Sequence, residues 1–166
     1  MQKSLHIIAE RCTGCLQCEM ACSFQADGVF NPSRSRIKVF PMHDEGRFVP
    51  YTCTQCADAW CVKACPVDAI VINRETGAKE VIEDVCVGCK VCTIACPFGT
   101  INYSQATGKV IKCDLCGGDP QCADACPTGA ITYVDANWPG YEQRRQLDRL
   151  LAGAQMGETA DDRPSA

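Results

Sequence analysis

The chain alternates short apolar runs with turn residues and with blocks in which cysteine is the recurring apolar position. β-Branched and aliphatic runs lie at residues 5–8, 37–40, 48–51, 67–72, 79–82, 100–103, 110–112 and 130–134. Glycine-containing turns at 42–46, 74–77 and 105–108 join six of these runs in pairs, which predicts three antiparallel hairpins. The first and last runs stand at the two ends of the repeated region, where they are free to pair with each other. Between the strands lie cysteine-rich loops, each with room for one short helix, so the chain repeats a unit of strand, loop with helix, and strand. Pro66, Pro97 and Pro127 each follow the last cysteine of a block and stop the helix that carries it. Ser23 stands at that position in the first block, which predicts a different exit path there. Beyond the Trp138-Pro139-Gly140 break, Leu147, Leu150, Leu151 and Ala154 mark one face of a helix over 141–154, and 157–166 reads as a small, polar, disordered tail.

Sixteen of the 166 residues are cysteine, and all fall into four blocks. The first is Cys12, Cys15, Cys18 and Cys22; the second Cys53, Cys56, Cys61 and Cys65; the third Cys86, Cys89, Cys92 and Cys96; the fourth Cys113, Cys116, Cys122 and Cys126. The first and third read C-x2-C-x2-C-x3-C, the bacterial ferredoxin spacing for 4Fe–4S ligation. Thiolate is the soft ligand that such clusters require. Three closely spaced cysteines wrap one face of a cluster, while the fourth, carried past a helical turn, reaches a neighbouring one. The blocks must therefore work in pairs, and sixteen ligands predict four 4Fe–4S clusters. The second and fourth blocks carry longer inserts, 57–60 and 117–121, which enlarge the ligating loop without removing a ligand. Two other uses of these cysteines are four all-cysteine zinc sites or a disulfide framework. Neither calls for the C-x2-C-x2-C-x3-C-P run, and disulfides need an oxidising compartment.

Cysteine changes the meaning of the composition. The apolar share is 46%, but without the cysteines only roughly a third of the chain is left to build a core. The clusters are then expected to act as the core, with ligation coupled to folding. Net charge is −4, and four clusters at about −2 each bring the loaded protein to roughly −12, which argues against nucleic acid or an anionic membrane as partner. No run approaches the ~18 apolar residues of a membrane span. Residues 1–6 carry neither an apolar leader nor twin arginines, so the expected compartment is the cytoplasm, with export alongside a signal-bearing partner as the other route. The sequence holds no P-loop, no G-x-G-x-x-G and no triad partner for His6 or His43. It is read as having no catalytic site of its own. Trp60, Phe24, Phe98 and Tyr103 sit near ligands and are expected to pack around the clusters and exclude water. Arg34, Arg36 and Lys38, like Arg144, Arg145 and Arg149, are expected to form solvated faces.

On these motifs the chain resembles the four-cluster, ferredoxin-like electron-transfer subunits of molybdenum and tungsten enzyme complexes, such as those of dimethyl sulfoxide reductase and formate dehydrogenase. The resemblance covers about residues 4–135. In its compactness the chain is most similar to the small iron–sulfur subunit of tungsten-dependent aldehyde oxidoreductases, and also to that of benzoyl-coenzyme A reductases. The resemblance implies an α+β fold of two bacterial-ferredoxin-like modules with short helices and small antiparallel sheets. The outer module takes 1–30 and 105–135, the inner 50–104, a connecting hairpin 31–49, and the C-terminal helix and tail 136–166. It implies nested ligation: Cys12, Cys15, Cys18 with Cys126; Cys53, Cys56, Cys61 with Cys96; Cys86, Cys89, Cys92 with Cys65; and Cys113, Cys116, Cys122 with Cys22. Sequential pairing of first with second and third with fourth blocks is the alternative. The implied partners are a tungsten- or molybdenum-containing catalytic subunit converting aldehyde to acid or the reverse, and a ferredoxin or flavin/NAD subunit. A complex of the carbon monoxide dehydrogenase type, a free polyferredoxin and a zinc-organised interaction module are the competing expectations. Clusters that reach opposite faces, together with the C-terminal helix, also permit head-to-tail self-association.

Overall fold

The computed structural model describes residues 3–42 and 46–136. Eight strands and four α-helices alternate with 3-10 turns: β1 (Lys3–Ile7), α1 (Gln17–Asp27), β2 (Lys38–Met42), β3 (Arg47–Tyr51), α2 (Trp60–Lys63), β4 (Ile70–Ile72), β5 (Lys79–Val81), α3 (Val91–Ala95), β6 (Asn102–Ser104), β7 (Lys109–Ile111), α4 (Gln121–Asp124) and β8 (Ile131–Asp135). Every strand lies within about two residues of an apolar run in the sequence. The helix expected over 141–154, the tail, and the basic group at 144–149 lie outside the described residues, as does His43.

The strands form four separate two-stranded antiparallel sheets, β1–β8, β2–β3, β4–β5 and β6–β7. β1 pairs with β8 in the register Lys3↔Asp135 to Ile7↔Ile131, so the two ends of the repeated region are tied together. Each remaining sheet is a local hairpin. In the β4–β5 turn, Asn73 Oδ1 accepts from the N–H groups of Glu75 (2.8 Å) and Thr76 (3.2 Å), an Asx turn that sets the register without glycine at every bend. The β6–β7 hairpin straddles residue 104 and leads the chain from the third cysteine block towards the fourth. Helices pack in the same order as the sheets: α1 lies against α4, and α2 against α3.

The first helix departs from the other three. Ser23 replaces the proline that ends each of the others, and α1 runs on for eleven residues. Ser23 is fully buried; its Oγ donates to the Met20 carbonyl at 3.0 Å and accepts from the Asn31 N–H at 3.0 Å, pinning the chain that leaves the helix. Gly28 closes the helix in the left-handed conformation (φ 70°), its N–H donating to Phe24 O.

Three small apolar clusters make up the core, and thiols belong to all of them. Ile37 and Ile131 pack with Cys18, Cys22 and Cys122; Ala69, Ile70, Ile101 and Val110 with Cys86 and Cys92; Ala78 and Leu115 with Cys113. The expected thin core is thus made good by the ligand side chains themselves. Among the described residues no helix is long and apolar enough to cross a membrane.

Candidate iron–sulfur centres

The local backbone repeats from block to block. In each opening C-x2-C pair the residue just before the second cysteine has positive φ: Gly14 (71°), Gln55 (51°), Gly88 (68°) and Leu115 (60°). Gln55 and Leu115 hold this left-handed conformation without being glycine, a strain of the kind that tight, over-determined loops retain. Leu16 (φ 60°) and Lys90 (φ 63°), each directly after the second cysteine of its block, are left-handed as well. The turn curls the loop so that successive thiols share one concave side. At Gly88 a side chain is excluded outright, since a Cβ would stand 2.2 Å from the Gly108 carbonyl oxygen.

The closing cysteines share a second device. In Cys65-Pro66-Val67-Asp68-Ala69, Cys96-Pro97-Phe98-Gly99-Thr100 and Cys126-Pro127-Thr128-Gly129-Ala130, the third residue after cysteine has positive φ (52°, 62° and 62°). This swings the following N–H back at the sulfur. Ala69 N–H donates to Cys65 Sγ at 3.2 Å. Burial alone would push Cys96 and Cys126 up. Hydrogen bonds from Thr100 and Thr128 and from nearby backbone N–H groups outweigh it, holding both thiols below the ordinary value. Cys22 lacks the proline and the turn, and receives its N–H from Arg36 instead, at 3.3 Å.

The fold brings thiols together from distant blocks. Cys12, Cys15, Cys18 and Cys126 line one cavity. Cys53, Cys56, Cys61 and Cys96 line another, together with Trp60, Phe98 and Thr100. Burial pushes Cys92 up to about 11, and the neighbouring thiols of Cys89, Cys65 and Cys86 add to the effect. Burial likewise raises Cys122, and the thiols of Cys113, Cys22, Cys116 and Cys18 add to the effect. Cys18 and Cys113 are each pushed up to about 12 by burial. These buried thiols resist losing their protons to water and give them up to a metal that binds the sulfur. All sixteen are free of disulfides. Among the described residues, which include every cysteine, no three Cys, His, Asp or Glu side chains converge as the ligands of one ion do. Zinc draws four thiolates to about 2.3 Å from a single centre. The ligands of a four-iron cluster each bind their own iron and stand further apart. The all-thiolate donor set, in the spacing of 4Fe–4S ligation, fits such clusters.

The surroundings differ in part from the sequence expectation. Trp60 and Phe98 do line a thiol cavity, but Trp60 is 60% exposed and covers it only from one side. Phe24 lies against Phe30 (centroids 4.6 Å apart) on the surface rather than around a thiol group. Tyr103 carries the Lys90 ammonium 3.9 Å over its ring. Arg36 does not stand on a solvated face, while Arg34 keeps a 40% exposed side chain. Both bridge Asp27 at 3.2 Å, and Arg36 is largely buried. The sequence pattern gave no sign of Gln55, Lys79 and Lys112, three buried polar side chains beside the second and fourth blocks. The C-P-x-(Gly/Asp)-(Ala/Thr)-Ile repeat was the legible signal for the N–H···S device. Nothing local marks the two lysines as buried.

The 4Fe-4S dicluster domain family matches residues 45–136, and a second family of the same description matches residues 11–70. The protein belongs to the 4Fe-4S dicluster domain family and binds 4Fe–4S clusters. It is 42% identical over 107 residues to the polyferredoxin-like subunit of aliphatic sulfonate oxidoreductase from Pyrococcus furiosus, covering 64% of this chain and 61% of that one. It is 36% identical over 124 residues to the B subunit of anaerobic dimethyl sulfoxide reductase from Escherichia coli (68% and 60%), and 43% identical over 95 residues to formate hydrogenlyase subunit 2 from the same organism (56% and 44%). The chain spans about three fifths or less of the length of these relatives. Part of the active-site complex BamBC of benzoyl coenzyme A reductase aligns at 28% identity over 80% of this chain and 75% of its own length, with a TM-score of 0.46. These relatives are named as subunits of oxidoreductases, and the first of them as polyferredoxin-like.

Proposed function

We propose that the chain carries electrons through four 4Fe–4S clusters in an oxidoreductase complex, with the ligand sets Cys12/Cys15/Cys18/Cys126, Cys113/Cys116/Cys122/Cys22, Cys53/Cys56/Cys61/Cys96 and Cys86/Cys89/Cys92/Cys65 in that spatial order. When bound, each cluster takes up and gives back one electron. The observation that carries the reading is the cavity lined by three cysteines of the first block and the last cysteine of the fourth, closed by β1–β8. Sequential pairing has no use for that contact. The order is supported by neighbours shared between sets. Cys122 lies beside Cys18, which links the first and second sets named, and Lys112 bears on both Cys61 and Cys113, which links the second and third. Cys15 and Cys89 are the two exposed cysteines and belong to the terminal sets, where electrons would enter and leave. The outer module then combines 1–30 with 105–135, and the inner occupies 50–104.

For the partners we propose a tungsten- or molybdenum-containing catalytic subunit of the aldehyde-oxidising type on one side, and a ferredoxin or flavin/NAD subunit on the other, in the cytoplasm. Support comes from the cysteine pattern shared with small iron–sulfur subunits of such enzymes and from relatives named as oxidoreductase subunits. Ligand pairing is tested by cysteine-to-serine variants read by electron paramagnetic resonance. Cys126→Ser should alter the same cluster signal as Cys15→Ser. If it alters the signal changed by Cys89→Ser, nesting is wrong. The partner is tested by metal analysis and mass spectrometry of the anaerobic native complex. Co-purifying tungsten or molybdenum supports the proposal, nickel points to a carbon monoxide dehydrogenase-type complex, and isolation without a partner identifies a free carrier.

A further inference from the structure

Two lysines are buried where the inner and outer modules meet. Lys79 is 4% exposed and Lys112 5%. Lys79 Nζ donates to the carbonyls of Gln55 (3.2 Å) and Gly77 (3.0 Å). Lys112 Nζ donates to the carbonyls of Cys113 (2.7 Å) and Lys79. Gln55, 5% exposed, completes the ring: its Nε2 donates to Cys113 O at 2.7 Å, and its Oε1 accepts from Lys79 N–H at 2.9 Å. Carbonyl oxygens satisfy the ammonium donors but bring no charge. Asp27 pairs with Arg34 and Arg36, and Asp58 with Lys63; among the described residues no carboxylate is found paired with either buried lysine. An ammonium held this deep is strongly disfavoured unless something negative lies close.

The thiols beside the two lysines supply that negative partner. Lys79 lines the cavity of Cys53, Cys56, Cys61 and Cys96; burial raises the thiols of Cys61 and Cys113, and the Lys112 charge offsets part of that rise. The cavity of Cys12, Cys15, Cys18 and Cys126, by contrast, is lined by no charged side chain. We propose that Lys79, backed by Lys112, is the counter-charge of the cluster held by Cys53, Cys56, Cys61 and Cys96 and makes it easier to reduce than the cluster held by Cys12, Cys15, Cys18 and Cys126. This rests on the ligand sets proposed above. Uptake of one electron from a neighbouring cluster adds one negative charge, breaks no bond and needs no proton. A fixed buried cation therefore favours the reduced form directly, with far less screening by salt than at the surface. Electrons entering at the outer end would settle in the middle of the chain before moving on.

The test is a reductive titration of the full chain in its native complex, followed by electron paramagnetic resonance. Cys56→Ser and Cys15→Ser mark which signal belongs to which cluster. Lys79→Gln keeps a hydrogen-bond donor and loses the charge. At a fixed potential it should lower the reduced-to-oxidised ratio of the Cys56-linked cluster at least tenfold, about 59 mV for one electron, and leave the Cys15-linked cluster and the iron content unchanged. Lys79→Arg should restore the wild-type ratio. Full iron with no shift, or an equal shift in both clusters, overturns the proposal. Should Lys79→Gln lose iron, Lys112→Gln serves as the second variant with the same expected direction. Should both lose iron, the wild-type order decides: a Cys56-linked cluster that reduces after the Cys15-linked one overturns it. Failure of the ligand sets would show differently, as Cys126→Ser altering the Cys89-linked signal.

Discussion

Ile131→Ala tests whether the ends of the chain hold the outer module together. Ile131 is 1% exposed, opposes Ile7 in the β1–β8 pair, and packs with Ile37, Cys18, Cys22 and Cys122. The substitution removes about three buried carbons, worth about 2.4 kcal/mol at about 0.8 kcal/mol each. The cavity left among side chains fixed by metal ligation adds to this, for a total of about 3–4 kcal/mol. At about 1.4 kcal/mol per tenfold, the opened state becomes populated at least a hundredfold more. Iron captured by an excess of chelator under anaerobic conditions reports that population where reclosing is fast. The outer clusters should bleach roughly a hundredfold faster than in the wild type. Ile94→Ala is the control, since Ile94 is 87% exposed and the change there should stay within about 0.5 kcal/mol. If Ile131→Ala bleached no faster than Ile94→Ala, the β1–β8 closure would not be what retains the outer clusters.

Gly88→Ala should cost far more than Gly99→Ala. Both have positive φ, but only at Gly88 does the new methyl meet a backbone oxygen, and iron retention after anaerobic purification is the readout. Asn73→Ala removes the acceptor of the β4–β5 turn and should lower stability by about 1–2 kcal/mol with iron content intact, measured by urea-induced bleaching. In metal-stripped protein that keeps its native circular dichroism, Cys96 and Cys126, whose pKa values are lowered, should alkylate at lower pH than Cys18 and Cys113, both pushed up to about 12. Peptide mass spectrometry across a pH series checks the order, and a reversed order would contradict the environments described.

Cysteine spacing and turn glycines made most of the fold legible. Thiolate ligation fixes spacing in the sequence itself, and runs such as Ile70-Val71-Ile72 have few alternatives to a strand when bounded by Asn73 and Gly77. The different exit of the first block was legible from Ser23, although α1's run to Asp27 was not. That length follows from the absence of proline and from hydrogen bonds to residues 20 and 31. The left-handed Gln55 and Leu115 were hidden because neither residue prefers that conformation, and only the loop around them enforces it. Lys79 and Lys112 carry no mark of burial in the sequence. Their burial comes from the contacts of Lys79 with Gln55 and of Lys112 with the Lys79 carbonyl, long-range packing that no local pattern encodes. Arg36 was misplaced for the same reason, its partner Asp27 lying across the end of α1.

The central claim is that all sixteen cysteines hold iron in four clusters. The direct measurement is iron, sulfide and zinc analysis with Mössbauer spectroscopy on the anaerobically purified full chain. The account predicts about sixteen irons and as many sulfides per chain, all in 4Fe–4S form. Zinc without iron, or about eight irons in a fully folded chain, would contradict it.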